Sequence, residues 1–96
     1  MKPLTMREVA AVMQSDDKPI MAAIAKDGAE KTGISYEQMC GSSRKRPIAR
    51  ARQLTMWKLH QEGITLSAIG TFLGGRDHTT VSWGIKVVNK LIEEAQ

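Results

Sequence analysis

The stretch Gly74-Gly75-Arg76-Asp77-His78-Thr79-Thr80-Val81 decides the reading of this 96-residue chain. Two consecutive glycines supply the positive φ that ends one helix and redirects the chain, and Asp77 is placed to cap the next. Upstream, Leu66, Ile69, Gly70 and Leu73 recur at i, i+3, i+4 and i+7, so a short helix with one apolar face precedes the turn. Downstream, Val81, Ile85, Val88 and Ile92 recur at i, i+4, i+7 and i+11 and bury one side of a longer helix. Two helices joined through such a corner form a helix-turn-helix. With the Val81 side inward, Thr79, Ser82 and Lys86 face outward, and His78 and Thr80 flank the exposed N-terminal end. Hydroxyls, an imidazole and a lysine at the head of a helix suit hydrogen bonding and methyl contacts in a DNA major groove.

Charge is distributed to match. Between residues 41 and 60, Arg44, Lys45, Arg46, Arg50, Arg52 and Lys58 meet no carboxylate, a local charge of +6, whereas residues 1–40 and 61–96 each sum to −1. The whole excess of the +4 chain therefore sits in one stretch, as an electrostatic footprint for phosphate does.

Pro47 opens a long helix running to about Glu62, with Ile48, Ala51, Leu54, Thr55 and Leu59 expected on its buried face. Arg50 and Arg52 then fall on opposite flanks of that stripe, and Gln53 lies away from it. Gly63 closes this helix and Thr65 caps the first helix of the pair. Earlier, Ser35-Tyr36-Glu37-Gln38 has the form of a capping box and predicts a single helical turn to Met39 or Cys40. Gly33 terminates the helix before it, whose expected stripe is Ile20, Ala23 and Ile24. Ser15-Asp16-Asp17-Lys18-Pro19 reads as a turn and helix start, with Asp17 as cap and a short separate helix within Met1–Met13. The expected organisation is all-α, with residues 1–18 as an N-terminal extension and 19–96 as the helix-turn-helix domain.

Only 4% of the chain is aromatic, so the core rests on Ile, Leu, Val, Met and Ala, which favours helices. For Trp57, at the edge of the core stripe, and Trp83, on the outward side of the last helix, partial burial against a neighbouring element is the first expectation and contact with a base or phosphate the alternative. Gly84 lies where a missing side chain permits close helix approach. The single cysteine, Cys40, forms no internal disulfide and reads as a small, half-buried hydrophobe. There is no leader-like run and none long enough to span a membrane, so a cytoplasmic, nucleoid-associated protein is expected.

Enzymatic constellations are missing from the pattern. His60 and His78 stand eighteen positions apart with no carboxylate or cysteine at metal-ligand spacing. No phosphate-cradling G-x-x-x-x-G-K-[ST] motif occurs, and Asp77-His78 lacks the partner geometry of a nucleophile pair. No cofactor or metal is expected.

The run GGRDHTTV, together with Arg44-Lys45-Arg46-Pro47-Ile48-Ala49-Arg50-Ala51-Arg52-Gln53, resembles the C-terminal DNA-binding domain of the DnaA family of bacterial replication initiators. The resemblance covers Pro19 to Glu94. It implies an all-helical domain that binds an asymmetric A·T-rich duplex site, the DnaA box, as a monomer per site. By position it implies a minor-groove role for Arg44 and phosphate and groove contact for Arg52 and Gln53. It implies base reading in the major groove by Asp77, His78, Thr79 and Thr80, and a phosphate anchor at Leu66 and Ser67. Ser82 extends the major-groove set, and Lys45, Arg46, Arg50, Arg76 and Lys86 are the remaining candidates for the groove edge. Ser67 stands where the family usually has proline, Ala68 where it has an acidic residue, and the turn before Thr65 is one residue shorter. The family's ATPase and recruitment domains have no counterpart in these 96 residues.

The expected function is thus sequence-specific binding to DnaA-box-like DNA without ATPase activity, regulating replication initiation or transcription. An excised piece of a full initiator is a second reading. The alternative from another class is an interaction module that contacts an initiator or other replication protein without binding DNA; a protein interface alone would not require Arg44, Arg52 and the Asp77 to Thr80 quartet together.

Overall fold

The long central helix, Arg46–Gln61, touches every other described helix. The computed structural model describes residues 6–96, with side chains from Pro19 onward. In chain order the helices are α1 (Met6–Thr32), α2 (Tyr36–Cys40), α3 (Arg46–Gln61), α4 (Leu66–Phe72) and α5 (His78–Ala95), and no strand occurs among the described residues. The fold is all-α, as expected.

α3 forms because Pro47 sits in its first turn, where its missing N–H costs nothing, and the residues after it are mostly strong helix formers. Around it the core gathers Met39, Met56, Leu59, Ile69, Leu73, Val81 and Val88, all fully buried. Each such side chain contributes about 1.5–3 kcal/mol of burial. Methionine fills the irregular space that aromatic rings would occupy in a richer sequence.

The buried stripe of α3 is rotated from the expected one. Ala51, Arg52, Thr55, Met56 and Leu59 face inward, while Leu54 is 44% exposed. Leu54 lies too far round the helix from Thr55 and Leu59, and remains at the rim of a groove between α1 and α3. On α1 the inward residues are Met21 and Ala25, with Ile24 and Gly28 half-buried between α1 and its neighbours. Ile20 and Ala23, expected inside, are exposed.

The turn expected at Ser15–Pro19 is absent: α1 continues through Pro19. A proline inside a helix removes one hydrogen bond and costs about 3 kcal/mol. Alanine, methionine and lysine on both sides favour the helix enough to offset it. The separate short helix expected within Met1–Met13 is not observed where the chain is described: from Met6 on the stretch is part of the continuous α1, and its first five residues lie outside the described residues.

α2 is one turn long and is held by the capping box: Ser35 Oγ accepts from the Gln38 amide at 3.1 Å, and Gln38 Oε1 accepts from the Ser35 amide at 2.9 Å. That single turn inserts Met39 into the core. Tyr36 stacks on Phe72 with ring centroids 4.9 Å apart, and its hydroxyl donates to the Phe72 carbonyl, which fastens α2 to α4. Burial, with neighbouring Cys40 adding to it, pushes the Tyr36 phenol up to about 12. Cys40 is half-buried.

α5 packs on α3 and α4 through Val81, Gly84, Ile85 and Val88. A Cβ at Gly84 would stand 2.7 Å from Met56 Sδ and 3.3 Å from Gln53 Cγ, so the close approach expected there is present. Ile92, expected to continue the buried stripe, is 37% exposed. No described helix is long and apolar enough to cross a membrane.

Candidate nucleic-acid interface

The corner between α4 and α5 is fixed by its backbone. Gly74 and Gly75 take φ of 91° and 79°, in the left-handed region that side chains disfavour. The Gly75 and Arg76 amides both donate to the Gly70 carbonyl, at 2.9 and 2.8 Å, closing the end of α4. Gly70 itself lies so close beneath the turn that a Cβ would stand 2.0 Å from the Arg76 carbonyl oxygen. Thr65 caps α4, its hydroxyl accepting from the Ala68 amide at 3.2 Å. The Leu66 and Ser67 amides are left at the helix N-terminus without an intrahelical acceptor.

Asp77 occupies the N-cap of α5, yet its carboxylate makes no capping hydrogen bond to a first-turn amide. It instead gathers the neighbouring side chains: Thr79 Oγ1 donates to Oδ2 at 3.0 Å, and His78 Nδ1 lies 2.9 Å from Oδ1. The Thr79 hydroxyl is the first cause that holds the Asp77 carboxyl below the usual carboxylate range, and the nearby His78 adds to it. Asp77, His78, Thr79 and Thr80 are all exposed, Ser82 is half-buried and Lys86 exposed. Directing Nδ1 toward the carboxylate leaves His78 Nε2 pointing away from it, available to a ligand.

The arginines of the basic stretch and of the corner divide into two sets. Arg44, Arg46, Arg50 and Gln53 surround one concavity of about 200 Å³ at the N-terminal end of α3. Arg50 Nη1 donates to Gln53 Oε1 at 3.2 Å, which joins the glutamine, away from the buried stripe as expected, to the arginines. Lys45 is the exposed N-cap residue of α3 and uses no side-chain cap. No acidic side chain lies in that first turn, so the positive end of the helix dipole adds to the field.

Arg52 and Arg76 form the second set, and both turn inward. Arg52 was expected on an outer flank of α3, but it is only 9% exposed. Its Nε donates to the Met39 carbonyl at 2.6 Å and its Nη2 to the Gly41 and Ser43 carbonyls at 3.1 and 3.0 Å. Arg76 Nη1 donates to the Leu73 and Cys40 carbonyls, and Nη2 to Gly41. The physical reason is that the end of α2 and the loop after it leave carbonyls without helical partners, which guanidinium forks satisfy. Desolvation, then the nearby Arg76 charge, lowers the Arg52 pKa from its ordinary value. The loop leading to Arg44 is thereby bolted both to α3 and to the helix-turn-helix corner.

Two features escaped the sequence reading. Trp83 is 66% exposed, so partial burial did not hold for it; Trp57 is half-buried, with Nε1–H donating to Asn89 Oδ1 at 2.9 Å. The inward clamp of the two arginines gave no signal, since a buried and a phosphate-facing arginine look alike in sequence. Among the described residues no cluster of three or more His, Cys, Asp or Glu side chains is arranged to hold a metal.

Sequence comparison with known proteins shows the family. The family described as bacterial dnaA protein helix-turn-helix matches residues 20–88. Chromosomal replication initiator protein DnaA of Picosynechococcus sp. is 35% identical over 98 residues, which take in 98% of this chain and 22% of the relative. The protein of the same name from Neisseria meningitidis is 44% identical over 86 residues, 86% of this chain and 16% of the relative. That of Leifsonia xyli is 33% identical over 95 residues, 96% of this chain and 20% of the relative. The chain thus spans about a fifth of the length of these relatives. No solved structure matches it significantly. With the glycine corner, the Asp77 to Thr80 head and the family match in agreement, the chain belongs to the bacterial DnaA helix-turn-helix family.

Proposed function

We propose that this protein binds double-stranded DNA at DnaA-box-like, A·T-rich sites as a monomer per site and so acts in the control of replication initiation or transcription. The observation that carries the reading is the joining of two surfaces. Arg76, two residues before the exposed His78, holds the Gly41 carbonyl of the loop that leads to Arg44. A helix head able to read base edges and a basic loop able to enter a minor groove are therefore held in one register.

In this arrangement His78, Thr79 and Thr80 read bases in the major groove from the N-terminal end of α5, with Asp77 orienting the first two and Ser82 beside them. Each good base contact is worth about 1–3 kcal/mol of discrimination. Arg44 enters the adjacent minor groove, where A·T-rich sequence narrows the groove and deepens its negative potential. Lys45, Arg46, Arg50 and Gln53 follow the backbone, as does Lys86 from α5, while the Leu66 and Ser67 amides offer a phosphate anchor. Arg52 and Arg76 serve by holding the loop in place.

A second reading, a protein-docking module, is favoured by one observation: an apolar groove of about 200 Å³ between α1 and α3, lined by Ile24, Gly28, Ala51, Leu54 and Trp57 among others. Fluorescence anisotropy with a labelled DnaA-box duplex and a scrambled duplex of equal composition, across a salt series, separates the two. The DNA reading expects at least tenfold preference for the box, about 1.4 kcal/mol. Binding to neither duplex at low salt would contradict it and leave the groove as the leading feature.

A further inference from the structure

Trp83 is the most exposed large hydrophobic side chain among the described residues, at 66% against 37–44% for the others. Nothing in the fold accounts for it. Trp83 is not among the hydrophobics packed against the core cluster, and its N–H meets no acceptor among the described residues, whereas the Nε1–H of Trp57 is engaged by Asn89. Its place on α5 is informative: Trp83 follows Thr79 by four residues and precedes Lys86 and Lys90 by three and seven. The four share the outward stripe opposite Val81, Ile85 and Val88. Both lysines are exposed, and neither forms an ion pair among the described residues.

Resting on the DNA-binding reading above, we infer that Trp83 is a backbone-contact residue, which lays its indole on a deoxyribose at the wall of the major groove and donates Nε1–H to a phosphate oxygen. The helix rise places it about 6 Å along the axis from Thr79, so it leaves the base edges and reaches the flanking strand. An amphipathic ring with one polar end suits that boundary, where sugar is apolar and phosphate accepts hydrogen bonds. Lys86 and Lys90 continue the stripe with the charge that a phosphate strand attracts. Sugar and phosphate are alike at every step, so this contact adds affinity without sequence choice.

The test uses the full chain with the box and scrambled duplexes. Trp83→Ala is expected to weaken binding to both by a similar factor, about fivefold or more, leaving their ratio unchanged. Trp83→Phe, which keeps a ring but loses the donor, is expected to fall between. Adding the box duplex is expected to quench and shift the tryptophan emission, a change lost in Trp83→Phe and kept in Trp57→Phe. Unchanged affinity in Trp83→Ala, with the wild-type chain binding normally, overturns the inference and spares the DNA reading. Loss confined to the box duplex overturns the backbone assignment in favour of a base contact. Failure of the wild-type chain to bind either duplex overturns both.

Discussion

Arg52, from the middle of α3, and Arg76, from the corner before α5, donate to the same acceptor, the Gly41 carbonyl oxygen. Two like charges converge there because the carbonyls of Met39, Cys40, Gly41 and Ser43 supply a concentrated negative field at the end of α2. The clamp fixes the loop before Arg44 from two sides, one side chain from each surface that the proposed interface needs.

Removing the buried member should be costly. Arg52→Ala leaves the Met39 and Ser43 carbonyls without their donor and the Gly41 carbonyl to Arg76 alone, and about 2–4 kcal/mol of stability should be lost. Arg52→Lys should recover little, because an ammonium lacks the planar fork that reaches several carbonyls at once. Urea unfolding of the three proteins checks this; a loss within about 0.5 kcal/mol, the size typical of a surface substitution, would place the guanidinium outside the core.

Gly70→Ala should be among the most damaging substitutions in the chain. Its Cβ would sit 2.0 Å from the Arg76 carbonyl oxygen, and the clash is with backbone, which cannot rotate away. The turn and α4 must separate, at a cost of about 3 kcal/mol or more. A midpoint shift on thermal unfolding, with loss of duplex binding, is the expected result.

The Asp77 carboxyl should titrate below the ordinary aspartate range. Its folded value is depressed first by the Thr79 hydroxyl, so its contribution to stability is fully present above about pH 3.9, the unfolded value, and is lost as pH falls through the lower folded value. In Thr79→Ala the carboxyl should titrate at a higher pH than in the parent. Carboxyl chemical shifts followed by NMR read this directly, and an unmoved titration would show that the hydroxyl does not hold the carboxylate.

Base-reading and backbone roles separate in their salt dependence. His78→Ala should lose about 1–3 kcal/mol of preference for the box with little change in salt slope. Arg44→Ala should weaken binding, reduce the slope by about one and relax the A·T preference on one flank of the site. Anisotropy across salt measures all three quantities; a uniform loss on both duplexes for His78→Ala would contradict its role.

The parts legible in sequence were those set by local chemistry. Gly74-Gly75, the Ser35 capping box, Thr65 and Pro47 each dictate a backbone state within a few residues, and the helices begin and end where those signals stand. Pro19 misled because its local penalty is outweighed by the helix formers around it. Leu54 and Met56 exchanged places because hydrophobicity marks a residue as apolar without saying how far round α3 its neighbours reach. Arg52 shows the deeper limit: its acceptors lie nine to thirteen residues away, and only the folded loop brings them under it.

The central claim is that the Arg44 loop and the head of α5 engage one DNA molecule together. The most direct measurement is an NMR titration of the isotope-labelled chain with the box duplex, following every backbone amide. Shifts concentrated in residues 44–53 and 76–86, moving with the same midpoint, are the predicted result. Shifts confined to one of these segments, or centred on the groove between α1 and α3, would contradict the account.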